Sequence, residues 1–474
     1  MKNYLQCILL FCHGLVCGQV VTVSEEISLR HEEDYHLIGK MPRQTLVLLN
    51  KEYECTVQSF DADFKKIWEK EVLLDKRRPK ILGVVSDTSN FHIVYQKNWK
   101  LETFIKIHTY DAAANLVDSM MIKNCGSSLI AKGYQFLPSD DHSKILLYQI
   151  ENNRSIHAFA FDLERREVLW ETTVAPEKLL LGRDEAQLVL GNNGSMHIIV
   201  TKENFKYKLE EHHYEVYYFS AKDKLLHAYT IDMQGHLSYD AYFDYDSKNE
   251  RLSAAGLYST TSQAWAEGLF YFSVNSEQPE IQTLEFHAFQ EQTVRNFLGK
   301  DAPNKHRGIN ESVMQQILFR QDGGLIGIVE RKKMNERPYT RSSAYYDGQP
   351  MQIIDYYYED LMVFSIHPSG ALHWTNVLYK RQFSQDQDVI FASYFPMKTS
   401  DRLRLLFNDA IQQENTVSEY VLRGNGKYER NSVMSTDSQQ LRLRFQDAIQ
   451  VSAKALIVPS EYRNRLRLVK IRFE

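Results

Sequence analysis

Hydrophobic and polar positions alternate along most of this chain, in short runs that end at polar turns. The clearest run, Val57 to Asp61, leads through a turn to Trp68. Two further runs have the same order of features, at 156–162 leading to Trp170 and at 361–366 leading to Trp374. Because successive side chains of a β-strand point to opposite faces, this pattern predicts pairs of antiparallel strands.

Four weaker copies of the same strand–turn–strand unit lie at 104–110, 216–219, 269–274 and 419–422. The residues that mark equivalent positions are Phe60, Tyr110, Phe161, Phe219, Val274, Ile366 and Leu422. Successive marks are 50, 51, 58, 55, 92 and 56 residues apart. A repeat of this length predicts an array of similar units, and the single long step indicates an insertion.

A second hairpin precedes this unit, as at 81–85 and 91–95. The same order recurs at 187–190 with 196–200 and at 389–393 with 403–407. Four strands per unit of about fifty residues predict an all-β fold, a β-propeller of four-stranded blades. The predicted blades lie near 31–75, 78–123, 126–176, 178–233, 236–286, 313–380 and 388–434.

An eighth blade is predicted from the two ends of the chain. Residues 441–474 supply three strands, at 443–446, 455–458 and 466–473. The segment 20–29 belongs to no complete blade, so we expect it to pair with them and remove the exposed sheet edges. Seven blades is the alternative if the weak fourth and fifth copies are misread.

One internal match does not fit this scheme. Residues 403–412 and 441–450 agree at eight of ten positions. The first segment falls on a predicted second strand and the other on a predicted first strand. Either the strands of the last blade are assigned in the wrong order along the sequence or the match is accidental.

The N-terminus has the pattern of an export signal over residues 1–18. Lys2 precedes an apolar stretch from Tyr4 to Val16, and small residues precede Gln19. The alternatives are a lipoprotein signal acylated at Cys17 and an uncleaved, buried segment. No later stretch is long enough to cross a bilayer. We therefore expect an exported monomer, periplasmic or extracellular, with one propeller domain over 19–474.

Removal of this leader leaves two cysteines, Cys55 and Cys125. They either form a disulfide or are two buried thiols, and they cannot build a zinc cluster by themselves. The formal net charge is −5, with 56 basic and 61 acidic residues distributed along the chain. This balance does not favour a nucleic-acid partner. We expect no metal and no cofactor.

Two insertions are predicted, at 287–312 and 331–360. In the first, Phe289, Val294, Phe297 and Leu298 have helical spacing and Gly299 occupies the position of a C-cap, which predicts a short helix. The second interrupts the sixth blade and interleaves basic residues with tyrosines. Its candidate ligand-binding residues are Arg337, Tyr339, Arg341, Tyr345, Tyr346 and Tyr356. The alternative is an extended hairpin that merely lies over the blade.

The segments 161–170 and 366–374, each of which ends in tryptophan, resemble the tryptophan-docking repeat of quinoprotein-type propellers. The chain is also similar in plan to uncharacterised secreted β-propeller proteins of bacteria. The resemblance implies eight blades. The cofactor motifs of the quinoproteins, including their vicinal cysteine pair, have no match here, so quinone dependence is not implied. We expect the tryptophans to fill the wedges between blades.

Three polar segments are candidate metal sites. Asp244–Glu250 has oxygen ligands at alternate positions, as calcium loops do, but lacks their glycine and distal glutamate, so a plain turn is expected. Asp140–His142 and His212–His213 are expected to be exposed turn residues.

No local catalytic motif of hydrolases, zinc proteases or phosphate-binding loops is present. The sequence therefore favours a non-catalytic role in which the propeller binds or scaffolds a protein or a glycan. The main alternative is a carbohydrate-active hydrolase or lyase, with acidic residues and tyrosines at the mouth of the central channel, because propeller enzymes assemble sites from several blades. A quinone-dependent oxidoreductase is third.

Overall fold

The structure is a computed structural model that describes residues 19–473, apart from some short segments. The segments left out are 32, 40, 42–43, 53, 76–78, 128–132, 152–153, 177–183, 304–307, 339–344, 347–348, 351, 410–415 and 437–439, and for 127, 338, 345, 346, 349 and 350 only the backbone is described. The leader predicted at 1–18, with Cys17, lies outside the described residues.

The described residues form eight four-stranded antiparallel blades arranged as a β-propeller. The chain begins with β1 (Val20–Val23) and β2 (Ile27–Ser28). The first blade contains β3 (Asp34–Ile38), β4 (Thr45–Lys51), β5 (Glu54–Phe60) and β6 (Lys66–Leu73). The second contains β7 (Lys80–Ser86), β8 (Asn90–Trp99), β9 (Glu102–Asp111) and β10 (Leu116–Ser127). The third contains β11 (Gln135–Pro138), β12 (Lys144–Glu151), β13 (Ser155–Asp162) and β14 (Glu167–Val174).

The middle blades follow in chain order. The fourth contains β15 (Ala186–Leu190), β16 (Met196–Lys202), β17 (His213–Phe219) and β18 (Leu226–Asp232). The fifth contains β19 (Leu237–Asp246), β20 (Arg251–Ser259), β21 (Gly268–Val274) and β22 (Gln282–Ala288). The sixth contains β23 (Ser312–Phe319), β24 (Leu325–Pro338), β27 (Gln352–Ile366) and β28 (Leu372–Leu378), with the hairpin strands β25 (Tyr345–Tyr346) and β26 (Gln349–Pro350) between its middle strands.

The last blades complete the ring. After the short strand β29 (Gln382–Gln385), the seventh blade contains β30 (Tyr394–Lys398), β31 (Arg402–Asn408), β32 (Thr416–Arg423) and β33 (Tyr428–Ser435). The eighth contains β34 (Ile449–Ser452), β35 (Ala455–Tyr462) and β36 (Arg465–Arg472), with β1 as its fourth strand. Among the described residues, the helical elements are α1 (Glu291–Leu298) and the 3₁₀ helices Lys206–Glu211, Gly299–Asp301, Asp386–Phe391 and Phe445–Asp447.

Burial along the strands follows from their place in a blade. The first strands of neighbouring blades contact one another around the central axis, as β3 and β7 do. In β21, a third strand, all seven residues are buried because neighbouring blades cover both of its faces. In the outermost strand β6, by contrast, most residues are exposed or half-buried.

The polar turns of the repeat share one structural cause. Asp61 ends a third strand, and its carboxylate accepts hydrogen bonds from the backbone N–H groups of Asp63 and Lys65. Asp111 and Asp162 close the equivalent turns of the next two blades in a similar way. Side-chain acceptors of this kind stabilise tight turns, so the recurring aspartate marks the same corner of successive blades.

The hydrophobic core is divided among the seams between blades. Each of eight clusters joins two neighbouring blades, and the series runs from the first–second seam to the eighth–first seam. The last of them packs Val47 and Phe60 of the first blade against Ile457 and Leu468 of the eighth. The ring is therefore closed by apolar packing as well as by hydrogen bonds.

The tryptophans lie in these seams, as predicted. Trp170 is buried, its ring centroid lies 4.5 Å from that of Phe219 in the next blade, and its Nε1–H donates to the Gly194 carbonyl at 2.8 Å. Trp374 donates in the same way to the Gly424 carbonyl of the seventh blade, at 3.1 Å. Trp68 packs against the first–second cluster.

The predicted closure by the N-terminal strand is confirmed. β1 pairs with β36 in antiparallel register, from Val20 opposite Arg472 to Val23 opposite Val469. The last blade thus combines strands from both ends of the chain, which gives the sheet edge of β36 a partner. Among the described residues the count is eight blades, so the alternative of seven is wrong.

The first strands of the last two blades were misplaced. In the seventh blade we predicted 389–393, but Asp386–Phe391 is a 3₁₀ helix and β30 begins only at Tyr394.

The error in the eighth blade is of the same kind. We predicted its first strand at 443–446, but there the chain forms an isolated bridge between Leu443 and Ser460 and then a 3₁₀ helix, and β34 begins only at Ile449. The segment 441–450 therefore differs in structure from 403–412, most of which lies on β31. The error was therefore in the position assigned to the first strand and not in the alternation of residues.

The first insertion contains the predicted helix. α1 buries Val294, Phe297 and Leu298 and ends at Gly299, whose φ of 56° lies in the left-handed region. The two cysteines do not form the disulfide that the sequence allowed. Burial raises the pKa of the Cys55 thiol to about 12, which leaves it protonated and unreactive at neutral pH.

Candidate functional site

The two faces of the propeller carry different connections. In a blade of four antiparallel strands, the turns after the first and third strands lie on one face, here called the lower face. The connections between the second and third strands and between blades lie on the other, the upper face. Helix α1, the 3₁₀ helices and the long second–third connection of blade six all belong to the upper face. Functional residues concentrate on such connections because the scaffold does not depend on them.

The largest upper-face element is the continuation of the sixth-blade hairpin, residues 332–358, here called the blade-six extension. β24 has 14 residues and β27 has 15, and their pairing continues to Pro338 opposite Gln352. A bulge between Glu330 and Lys332 separates this extension from the blade. The insertion is therefore an extended hairpin, which is the form that the sequence analysis gave as the alternative. Recognition of a partner by this hairpin remains a prediction.

The candidate residues are distributed over this hairpin. Arg337 lies on β24 opposite Ile353, and Tyr356 lies on β27 opposite Met334. Because side chains alternate along a strand, these two candidates point to opposite faces of the hairpin. Tyr345 and Tyr346 form β25 and only their backbone is described. Tyr339 and Arg341 lie outside the described residues.

Arg337 takes part in a hydrogen-bonded clamp. Its Nε–H donates to Asp355 at 2.6 Å, and the Gln385 amide of β29 donates to the same carboxylate at 2.8 Å. The Arg337 guanidinium holds the pKa of Asp355 below its usual range. On the same face, the rings of Tyr357 and Phe383 lie 5.0 Å apart. This arrangement joins β29 to the extension as a third strand.

The base of the extension is held by ion pairs. Arg331 is buried, and its guanidinium lies 2.7 Å from Asp301 and 3.2 Å from Glu359. Lys333 also pairs with both carboxylates. Since Asp301 follows α1, these contacts connect the two insertions.

A second anchor is fully buried. The Lys380 ammonium lies 2.8 Å from Glu330, and both side chains are at most 2% exposed. The same ammonium donates to the Tyr358 carbonyl and to the Gln382 amide oxygen. Burial lowers the pKa of Lys380, and the adjacent carboxylate opposes that effect.

The opposite face of the extension presents a stripe of apolar and aromatic side chains. These residues, here called the aromatic stripe, are Met334, Ile354, Tyr356 and Tyr358. Met334 is 59% exposed and the other three are half-buried. The Lys332 ammonium lies 4.7 Å from the centre of the Tyr358 ring, a cation–π contact. Rings of this kind can pack on a peptide or stack on a sugar.

A polar cavity of about 350 Å³ lies where β3 and β34 meet at the upper end of the channel. Its lining includes Asp34, Tyr35, His36, Arg444, Asp447 and Glu461. The Arg444 guanidinium lies 2.6 Å from Asp447 and 2.5 Å from Glu461. Burial raises the pKa of Tyr35 and lowers that of His36. Local motifs could not reveal this set, because it combines residues from both ends of the chain.

Two of the carboxylates in this lining, Asp447 and Glu461, are held by Arg444, and Glu33 and Asp34 complete the acidic set.

The polar segments weighed as metal sites have other roles. Asp246 closes a plain turn, accepting hydrogen bonds from the N–H groups of Lys248 and Asn249, as expected for Asp244–Glu250. His212 was predicted to be exposed, and this was wrong. It is buried, with Nε2 2.9 Å from Ser238, because it lies just before β17 beneath the next blade. His213 was also misjudged, since it is the first residue of β17 and is half-buried. In the described parts of the chain, no three His, Cys, Asp or Glu side chains are grouped to hold a metal ion.

No protein-family model matches the chain, and no curated protein matches it. Several solved structures are similar to the chain. An uncharacterised protein from Listeria monocytogenes is 8% identical, with a TM-score of 0.39, over 75% of this chain and 82% of that one. The β-propeller domain of the Trilobed protease from Pyrococcus furiosus is 11% identical, with a TM-score of 0.37, over 84% and 98%.

Dipeptidyl peptidase 4 from Porphyromonas gingivalis is 9% identical, with a TM-score of 0.45, over 90% of this chain and 56% of that one. At such identities the similarity concerns the fold alone. None of the helices in the described ranges is long and apolar enough to cross a membrane.

Proposed function

We propose that this protein is an exported, non-catalytic propeller that binds or scaffolds a protein or a glycan through its upper face. The observation that carries the proposal is the aromatic stripe on the blade-six extension. Met334 is 59% exposed there, beside half-buried tyrosines, on a hairpin that continues beyond the blade. A propeller blade needs only four short strands, so the extension is not required for the fold.

The anchoring of the extension supports the same proposal. The buried Lys380–Glu330 pair and the contacts of Arg331 fix its base. The Arg337–Asp355–Gln385 clamp fixes its middle. A rigid surface loses little conformational entropy when a partner binds, which favours affinity. The remaining candidates from the sequence, Tyr339, Arg341, Tyr345 and Tyr346, belong to the same proposal.

Removal of the extension tests this function. Lys333 and Tyr357 lie directly opposite each other, so an Asn-Gly turn can replace residues 334–356 between them. We expect the variant to fold, with a small change in melting temperature, and to lose the binding of wild-type protein to its ligands on a glycan array or among secreted proteins. Tyr356→Ala should weaken the same binding.

Tyr207→Ala is the matched control. Tyr207 lies on another upper-face connection and is 86% exposed, so its removal should leave binding unchanged. Ligands retained by the deletion variant at wild-type level would exclude the extension as the binding surface.

The second candidate is a hydrolase or lyase that acts on carbohydrate at the channel mouth. The observation in its favour is the 350 Å³ cavity, where His36 and Tyr35 accompany several carboxylates. The assay that separates it from binding is release of reducing ends, or of unsaturated sugars, from a panel of polysaccharides. Activity that is lost in His36→Gln and kept in the deletion variant would establish it.

We propose that the resemblance to quinoprotein-type propellers concerns the packing of the blades and not a cofactor. The hydrogen bonds of Trp170 to Gly194 and of Trp374 to Gly424 support docking tryptophans between blades. They are contacts within the scaffold, so they support no quinone chemistry.

A further inference from the structure

A pocket of about 330 Å³ lies on the lower face, at the seam between the sixth and seventh blades, and is here called the six–seven pocket. Its apolar wall is the lower end of the hydrophobic cluster that joins these two blades, and it includes Leu318, Ile326, Leu403 and Leu422. The turn after β23 and the two lower-face turns of the seventh blade form its rim. Its volume lies in the range of pockets that bind small molecules.

One wall of the pocket is a glycine in a turn whose geometry recurs in other blades. In the seventh blade the N–H of Arg423 donates to the Lys427 carbonyl, and the N–H of Gly426 donates to the Arg423 carbonyl. The corresponding turn of the second blade has the same two hydrogen bonds, which puts Gly424 at the position that Ala112 occupies there. Ala112 packs on the cluster between the first and second blades.

The backbone does not require glycine at position 424. The φ of Gly424 lies outside the left-handed region, in contrast to the φ of 82° at Gly426. A Cβ on Gly424 would meet no atom of the described residues within 4 Å, apart from its two chain neighbours. Neither strain nor crowding therefore demands glycine here. The absent side chain leaves room at the wall of the pocket.

The rim carries more basic than acidic side chains. Four of the lining residues are basic and two are acidic, namely Arg320, Lys398, Arg402 and Arg423 with Asp322 and Asp401. Each arginine pairs with one carboxylate, either one of these two or Glu429. Lys398 forms no ion pair within the part of the chain that the structure describes. Its charge acts on Asp244 of the fifth blade only from beyond ion-pair distance.

The backbone of Lys398 is held at the edge of the pocket. Its N–H donates to the side-chain oxygen of Gln450 at 3.0 Å, and its carbonyl accepts from the amide nitrogen of the same side chain at 2.7 Å. Gln450 belongs to the eighth blade, so the end of β30 is fixed from both sides. The Lys398 ammonium is therefore presented to the pocket from a fixed backbone.

An apolar wall beside an unpaired ammonium favours a ligand that has both characters. An apolar group gains free energy by leaving water for the leucine wall, and a carboxylate pairs with an ammonium. Asp322 and Asp401 oppose such an anion little, because each is paired with its own arginine. The pocket has room for one such group, which favours a free acid over a segment of peptide.

We propose that the six–seven pocket binds a small monocarboxylic acid with an apolar body of about six to ten carbon atoms. The body lies against Leu403 and Leu422, and the carboxylate pairs with Lys398. The pocket lies on the face opposite to the blade-six extension. The outcome of its test therefore does not depend on the proposed function.

Calorimetric titration of the purified protein with 4-phenylbutyrate and with octanoate tests the proposal. The matched neutral ligand is 4-phenylbutyramide, which has the same apolar body without the charge. We expect at least one of the acids to bind with a Kd of about 1 mM or tighter. The amide should bind about threefold more weakly than 4-phenylbutyrate, or weaker still. A short peptide that ends in phenylalanine shows whether the pocket takes a chain terminus instead.

Gly424→Leu supplies the absent side chain and should weaken binding of the acid about tenfold or more. The melting temperature should be kept, since the side chain has room and the Gly424 carbonyl can still accept from Trp374. The matched control is Ala113→Leu, which adds a leucine to an exposed lower-face turn of the second blade and should leave binding unchanged. Lys398→Gln should bind 4-phenylbutyrate no more tightly than the amide.

Circular dichroism and melting temperature establish that each variant is folded. The proposal is overturned if neither acid binds, if only the peptide binds, or if wild-type protein binds 4-phenylbutyrate and its amide equally well. It is also overturned if folded Gly424→Leu or folded Lys398→Gln binds the acid as the wild type does.

Discussion

At the scale of single residues, His197 shows how burial decides protonation. Its ring lies between Tyr218 and Tyr245, with centroid distances of 4.8 and 5.1 Å, and Nε2 lies 2.9 Å from the Ser276 hydroxyl. Burial lowers the pKa of His197 from 6.5 to about 3. The folded protein therefore keeps this side chain neutral across the physiological range. Burial also lowers the pKa of His36, His92, His108 and His212.

A pH dependence of stability follows from His197. As the pH falls from 6.5 towards 3, the unfolded chain binds a proton that the folded protein does not, so the free energy of unfolding decreases. The decrease for this group is about 1.4 kcal/mol per pH unit. Asp244 and Asp360, whose pKa values burial raises to about 6, act in the opposite direction between their ordinary pKa and pH 6.

Urea unfolding of His197→Gln at several pH values isolates this effect. Between pH 6.5 and 5 the variant should lose about 2 kcal/mol less stability than the wild type does. Tyr218→Phe, which changes the contact but leaves the histidine, should keep the wild-type slope. Equal slopes for wild type and His197→Gln would show that His197 does not account for the acid sensitivity.

At the scale of elements, the buried pair of Lys380 and Glu330 connects the blade-six extension to the scaffold. Replacing Lys380 leaves the buried Glu330 charge with only the half-buried Lys332, 3.5 Å away, as a counter-charge. We expect Lys380→Met to lower the free energy of unfolding by about 3–5 kcal/mol, measured by denaturant titration. The double variant Lys380→Met/Glu330→Gln should recover part of this loss, because both charges are then removed.

Lys66→Met is the exposed control for this pair. Lys66 contacts Glu69 on the outer strand β6, where both side chains are largely solvated. Its replacement should cost less than about 1 kcal/mol. A double variant no more stable than Lys380→Met would show that the uncompensated charge of Glu330 is not the cause of the loss.

The elements that the sequence predicted well are those with a local, repeated pattern. Alternation and the recurring strand–turn–strand unit located the blades, and helical spacing located α1. The first strand of the last blade was misplaced because a 3₁₀ helix interrupts it before Ile449. Local alternation cannot indicate such an interruption.

The candidate site was predicted less completely than the fold. The one long step in the fifty-residue repeat indicated the insertion that carries the candidate site. Arg337 and Tyr356 were grouped by closeness in sequence, yet strand alternation places them on opposite faces of the hairpin. The channel-mouth cavity combines residues from both ends of the chain, so it became visible only once the ring was closed.

At the scale of the whole molecule, the channel-mouth cavity depends on closure of the ring. It lies between the eighth and first blades. The eighth blade is complete only when β1 pairs with β36. An eight-bladed ring closed in this register is therefore the central claim.

A disulfide between the two ends of the chain measures that closure directly. Thr22 lies directly opposite Lys470, and opposed residues of antiparallel strands are close enough for a disulfide. In a variant with Cys55→Ala and Cys125→Ala, oxidation of Thr22→Cys/Lys470→Cys should give a cross-linked chain with a raised melting temperature. Thr22→Cys/Arg472→Cys, two residues out of register, should remain reduced. Failure of the matched pair to cross-link, or equal cross-linking of both pairs, would contradict the closed eight-bladed ring.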